Sequence, residues 1–324
     1  PNEEALTNLK NDIIKNREDQ KLNKSIILRR GMVNYAKYGA INPFTNSLST
    51  QEILDMTSEE LIDIIKSMTS YNHRILYYGS QSIEQVSSTL SELHKTPETL
   101  MEAEQGSEFD EKEINSTNVY VVDYDMKQTE ILMVAKGDQF QSEKMPLIKL
   151  HNEYFGGSMG SIVFQTLRES KALAYSVYSA YSTPRNDDKS HYVTAYIGTQ
   201  TDKLSEAMIG MNELLNDLPQ VNANLANAKE AVIQKIRTER ITKDDILFSF
   251  ESAKRLGYDY DMRQDIFNNI DSYSMENIVS FHNDHMSGND YTILVLGSKD
   301  ELDIEALKEY GPVKFLSLEE VFGY

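Results

Sequence analysis

Arg168 and Tyr175 stand seven residues apart in the stretch FGGSMGSIVFQTLRESKALAYSVY (155–178). The spacing predicts Arg168 near the end of a short amphipathic helix and Tyr175 on the strand that returns past it. A guanidinium and a phenol held side by side can bind a peptide carbonyl and stabilise an oxyanion that forms there. The same residues also have a purely structural use. Arginine near a helix C-terminus complements the helix dipole, and tyrosine on a strand packs. Residue type alone leaves both readings open.

The stretch contains Gly156-Gly157-Ser158-Met159-Gly160, which satisfies the G-x-S-x-G pattern of a nucleophile elbow. That elbow needs a strand before it and a helix after it. Here a helix is expected at 142–155, so the glycines read as a permissive turn between helices. No Lys-Ser/Thr follows them, which excludes a P-loop. His282 and His285, three apart in HNDH with Asp284 nearby, could share a helix face and hold a metal. A zinc site needs a third ligand, and the pair reads better as a solvated helix end where an imidazolium complements the dipole. His151 and Glu153 point about 200° apart on one helix. His73, His94 and His191 are isolated. The six histidines form neither His-x-x-Glu-His nor His-Glu-x-x-His. The carboxylate pairs Glu59-Glu60, Asp187-Asp188 and Asp244-Asp245 fall at helix starts or turns and read as solvated. No metal site is expected in this chain.

The 324 residues suggest two domains. Hydrophobic residues at 40% allow real cores, and a net charge of −19 disfavours nucleic acid and anionic membrane surfaces. There is no cysteine, so disulfides and thiolate chemistry are excluded, while the compartment stays open. No apolar run approaches the ~18 residues of a membrane span. The first residue is Pro1 and no signal peptide is visible, so the chain reads as a processed product or a piece of a longer one.

Helices are expected at about 4–20, 24–38, 57–68 and 82–93, with 41–50 a loop and HRILYYGS (73–80) a strand. The end of the chain repeats this order. NAKEAVIQKIRTERITKDDILFSFESAKRLG (227–257) matches 8–39, SMENIVSFHNDHM (274–286) matches the helix at 57–68, and YTILVLGS (291–298) matches 73–80. Lys243 stands 219 residues after Lys24, and Gly297 stands 218 after Gly79. So long a period indicates duplication of a whole domain rather than a solenoid. Residues 1–95 then read as the C-terminal part of a truncated first repeat domain, 96–117 as an acidic linker, and 118–324 as a complete second repeat domain. In the latter, strands are expected at 118–125, 129–137, 172–182 and 191–198. A run of helices at 202–217, 220–240, 243–256 and 274–286 follows, and then a last strand. The class is α+β, with repeated domains each built on a mostly antiparallel sheet packed by helices.

FGGSMGSIVFQTLRESKALAYSVYSAYS resembles the C-terminal, non-catalytic domains of the pitrilysin/insulysin family of inverted zinc metallopeptidases. That family shows a Gly-Gly turn, a Ser-x-x-Phe/Leu-x-x-x-Arg-Glu helix and a Leu-Ala/Gly-Tyr strand. The resemblance extends to NPFTNSLS, the 73–80 stretch and TERITKDDILFSFESAKRLGYDYD. It implies the substrate-binding, non-catalytic half of a zinc metalloendopeptidase that cleaves peptides in a closing chamber. Zinc and its His-x-x-Glu-His motif are then expected in an N-terminal catalytic half, upstream or on a partner chain, and this chain alone should be inactive. The resemblance assigns Arg168 and Tyr175 to holding the peptide substrate. Gly156 and Gly157 are weaker candidates, because the turn is shorter than the glycine-rich loop of some members. The alternative is a non-enzymatic scaffold or inactive partner subunit, as some relatives have become. Exposed apolar faces on the truncated domain should favour self-association.

Overall fold

Alternating side chains along a strand point to opposite faces, and in this sheet both faces are apolar. In the computed structural model, which describes residues 2–243 and 245–324, six strands form one sheet. They are β1 (Asn118–Asp123), β2 (Gln128–Gln139), β3 (Ser176–Ser182), β4 (Ser190–Gln200), β5 (Thr292–Gly297) and β6 (Val313–Phe315), in the order β3-β4-β2-β5-β1-β6. The sheet is mixed. β2–β4, β3–β4 and β2–β5 are antiparallel, and β1 runs parallel to both β5 and β6. β1 and β2 are consecutive in sequence but not paired, because β5 lies between them. The expectations that touched Pro1 and Asp244 lie outside the described residues.

One face carries Val119, Val121, Ile131, Met133, Val193 and Ile293 into the main core, under the helices Met145–Phe155, Leu204–Asn216 and Asn222–Thr238. The other face carries Val122, Leu132, Val134, Tyr192, Leu294 and Leu296. It is covered by the helix spanning 24–38, whose Ile27, Leu28 and Met32 are fully buried, and by Val321 and Phe322 near the C-terminus. The two segments that the sequence assigns to different repeats therefore share a core. Their acidic connection is also fastened. The Lys112 N–H donates to the Lys37 carbonyl (2.7 Å), the Ser190 N–H donates to Glu111 Oε2 (3.1 Å), and Glu113 pairs with Lys136.

Two expectations fail in informative ways. Residues 73–80 form no strand, and Ile75, Leu76, Tyr77 and Tyr78 are exposed. A strand exists by virtue of its neighbours, and among the described residues this stretch has none. His282 is not at a solvated helix end either. It is fully buried, and no imidazolium is stabilised there. Sequence patterning also passed over the short helices Thr50–Asp55, Arg263–Asn269, Ile304–Lys308 and Leu318–Phe322, and strand β6. No helix among the described residues is long and apolar enough to cross a membrane.

Candidate functional site

The helix Met145–Phe155 ends against β3, and glycine makes the contact possible. A Cβ on Gly156 would lie 2.4 Å from the Ser179 carbonyl oxygen and 2.5 Å from its nitrogen, both backbone atoms that cannot swing aside. The Ser179 N–H donates to the Gly156 carbonyl (3.2 Å), and the N–H groups of Gly156 and Gly157 both donate to the Asn152 carbonyl. Gly156 is buried and serves packing; Gly157 is exposed. Gly156→Ala should lower the stability of the folded chain by about 2 kcal/mol in urea titration, the usual scale of overpacking against a fixed neighbour. Gly160→Ala is the control. Its Cβ would meet nothing nearer than Ser158 Oγ at 3.9 Å, and its effect should stay within about 0.5 kcal/mol.

Ser158 does not sit in a nucleophile elbow. Its hydroxyl donates to the Glu153 carbonyl at 3.4 Å, and its own carbonyl accepts from Ser161. After the turn the chain forms a π-helical segment, Phe164–Ser170, which carries Arg168. Such wide turns recur at functional sites because they redirect a side chain within a helix. The return to β3 passes through Ala172, whose φ of 50° is uncommon for a residue with a side chain. That turn is pinned. The Leu173 N–H donates to Leu167, Thr199 Oγ1 donates to the Leu173 carbonyl (2.6 Å), and Lys203 Nζ donates to the Ala172 carbonyl (3.1 Å).

Arg168 and Tyr175 line one open cleft of about 380 Å³, together with Glu169, Gln200 and Lys203. Tyr175 lies one residue ahead of β3 and is 51% exposed, whereas Val177, Ser179 and Tyr181 of the same strand point into the core. Its N–H bonds to the Gly198 carbonyl (2.8 Å), which fixes its backbone to β4. Its hydroxyl accepts from Gln200 Nε2 (2.5 Å), which leaves the phenolic O–H free to donate. The Arg168 guanidinium stacks over the Phe164 ring at 4.8 Å and approaches Glu169 only to 3.8 Å. A stacked guanidinium keeps its edge donors, so the cleft presents a planar cation and a hydroxyl to one space. Gln200 and Lys203 were not singled out by the sequence. Gln200 and Lys203 come from the far end of β4 and just beyond it, and nothing in their local spacing marks them.

The histidines form no such cleft. His151 Nε2 and His282 Nδ1 are 3.1 Å apart in the core, and His282 Nε2 lies 3.0 Å from the Leu215 carbonyl. His285 faces Asp138 at 3.5 Å, and Glu153 is paired with Lys235 (2.5 Å) instead of with His151. Among the described residues no group of three or more histidine, aspartate or glutamate side chains is placed to hold a metal ion. The donors of the described residues do not fit zinc.

The description "peptidase M16 inactive domain" matches residues 49–235. An uncharacterized zinc protease of Bacillus subtilis, YmxG, is 33% identical over 130 residues, 39% of this chain and 29% of that protein. The chain thus spans less than a third of that relative. The solved structure of a peptidase M16 inactive domain from Pseudomonas fluorescens superimposes with a TM-score of 0.64 at 18% identity, covering 91% of this chain and 70% of the other. The periplasmic protease PqqL of Escherichia coli does so with a TM-score of 0.66 at 13% identity, covering 92% of this chain and 33% of the other. At these identities the structural likeness establishes the fold.

Proposed function

Given that the chain belongs to the peptidase M16 inactive-domain family, we propose that it is the substrate-holding, non-catalytic half of a zinc metalloendopeptidase. The observation that carries this reading is the shared cleft of Arg168 and Tyr175, in which two donors are aimed at one space from a pinned turn. Zinc and the water it activates belong to a catalytic half elsewhere, on the same polypeptide or a partner chain, since the described side chains here do not fit the metal. This half closes over a bound peptide. The Arg168 guanidinium donates to a peptide carbonyl oxygen, and the Tyr175 hydroxyl donates to the same group or its neighbour. Both bonds tighten as negative charge grows on that oxygen. Gly156 and Gly157 act indirectly by seating the turn against β3.

The test is reconstitution. A catalytic half carrying His-x-x-Glu-His, assayed on a quenched fluorescent peptide, should cleave at least about 100-fold faster with these 324 residues than without them. Equal rates would favour the second reading, a scaffold or inactive partner subunit. No observation on the cleft favours that reading.

A further inference from the structure

The cleft of Arg168 and Tyr175 is positively charged in a strongly acidic chain. The sequence carries 51 aspartates and glutamates against 32 lysines and arginines. Among the residues that line the cleft the balance reverses, and Arg168 and Lys203 face a single carboxylate, Glu169. That carboxylate approaches the Arg168 guanidinium only to 3.8 Å. Lys171, just outside, is neutralised by Glu213 at 3.2 Å. Lys203 has no carboxylate partner among the described residues, and its ammonium donates to the Ala172 carbonyl (3.1 Å).

That bond fixes where the ammonium stands. The turn from Ala172 to Tyr175 is tied to the end of β4 along its whole length. Thr199 Oγ1 donates to the Leu173 carbonyl, the Tyr175 N–H donates to the Gly198 carbonyl, and Gln200 Nε2 donates to the Tyr175 hydroxyl. Lys203, three residues past Gln200, closes the series at Ala172. Ordering a lysine side chain costs rotamer entropy, and here much of that order is present before a ligand arrives. An ammonium has three N–H donors, so two remain for a ligand in the cleft.

We propose that Lys203 is a specificity-determining residue, donating to a substrate carboxylate that flanks the carbonyl held by Arg168 and Tyr175. The inference rests on the peptide-holding reading above and adds a substrate class to it, acidic peptides. The carboxylate is an aspartate or glutamate side chain or the C-terminus of the peptide, since each presents the same two oxygens. Glutamine at that place offers only a neutral acceptor, and lysine meets two cations. The net charge of −19 does not cancel this selection, because charges beyond about 8 Å are largely screened at physiological ionic strength.

The test uses the assembled peptidase and quenched fluorescent peptides that differ only in carrying Glu, Gln or Lys at one position, scanned across both sides of the scissile bond. At one position kcat/KM should favour Glu over Gln by about 10-fold, the scale of a hydrogen bond between charged groups in an open cleft. Gln should in turn exceed Lys there. Lys203→Met should abolish the preference for Glu, Lys203→Arg should retain it, and Lys203→Glu should invert it in favour of Lys. Free-acid and amidated peptides cut near their C-terminus form a second arm. A preference for the free acid that Lys203→Met abolishes assigns the terminal carboxylate instead of a side chain. A lysine that only braces the Ala172 turn would slow every peptide together and leave the ratios unaltered, and that result overturns the proposal. So does a wild-type enzyme with no preference at any position in either arm. Failure of the underlying reading has another signature. Arg168→Ala then costs nothing on any peptide, and this inference falls with it; if this inference alone fails, the Arg168→Ala loss persists while the ratios ignore Lys203.

Discussion

Arg168→Ala should reduce kcat/KM for peptide cleavage by about 100-fold in the assembled peptidase, with most of the loss in kcat. The magnitude follows from what the guanidinium does. A donor aimed at an oxygen that gains charge in the transition state is typically worth a factor of about 10²–10³. Arg168 sits at the lower end because its cleft is open and water competes for the carbonyl. Arg168→Lys should recover little, since an ammonium has neither the planar fork nor the stacking surface that places Arg168 over Phe164. Tyr175→Phe should cost about 10-fold, the scale of one neutral hydrogen bond. It should also free Gln200, whose amide now donates to the Tyr175 hydroxyl. Folding should be untouched in all three variants, because both side chains are exposed. Steady-state kinetics beside a thermal melt separates the outcomes. Full activity in both Arg168→Ala and Tyr175→Phe sinks the site assignment.

How much of this was legible beforehand depended on whether a signal was local. The helices at 4–20, 57–68 and 82–93 have periodic apolar faces and capping residues, and they appear within a residue or two of their expected bounds. That Arg168 and Tyr175 would lie near each other was legible because both belong to one continuous stretch. The pairing of β1 with β5 was not, since those strands lie far apart in the chain (Asn118 opposite Thr292) and no local pattern encodes a parallel neighbour. The unpaired state of 73–80 was hidden for a related reason. Its composition is that of a buried strand, and composition does not report whether the neighbours are present. Gln200 and Lys203 entered the cleft by topology, where β4 ends beside the Ala172 turn.

The histidines carry the last expectation, because burial reverses the role that spacing suggested. His282 Nε2 must donate to the Leu215 carbonyl, so its Nδ1 is the acceptor and His151 Nε2 the donor. That leaves His151 Nδ1 as a buried nitrogen without a partner. The arrangement works only for two neutral rings. A proton added to His282 Nδ1 would confront the His151 N–H, and burial disfavours one added to His151 Nδ1. Burial, the larger cause, holds His282 down to about 4, opposed by the Leu215 and Leu214 carbonyls and by Asp217. Burial also lowers His151 well below 6.5, reinforced by His282 and His285 and opposed by the Asn152 side chain. Folded values below the unfolded value mean that the unfolded chain binds the extra protons. Stability is therefore complete above about pH 6.5 and falls as the pH drops toward 4. For His282 alone the loss is about 3 kcal/mol, and His151 adds in the same direction. Urea midpoints measured from about pH 8 to about pH 4 should show this decline. His151→Phe removes the orphan nitrogen and the facing N–H together, and should flatten the slope by at least a third. His282, still held down by burial, sustains most of the remainder, with His191 and His285, also lowered by burial. A slope identical in wild type and His151→Phe would place the acid sensitivity elsewhere.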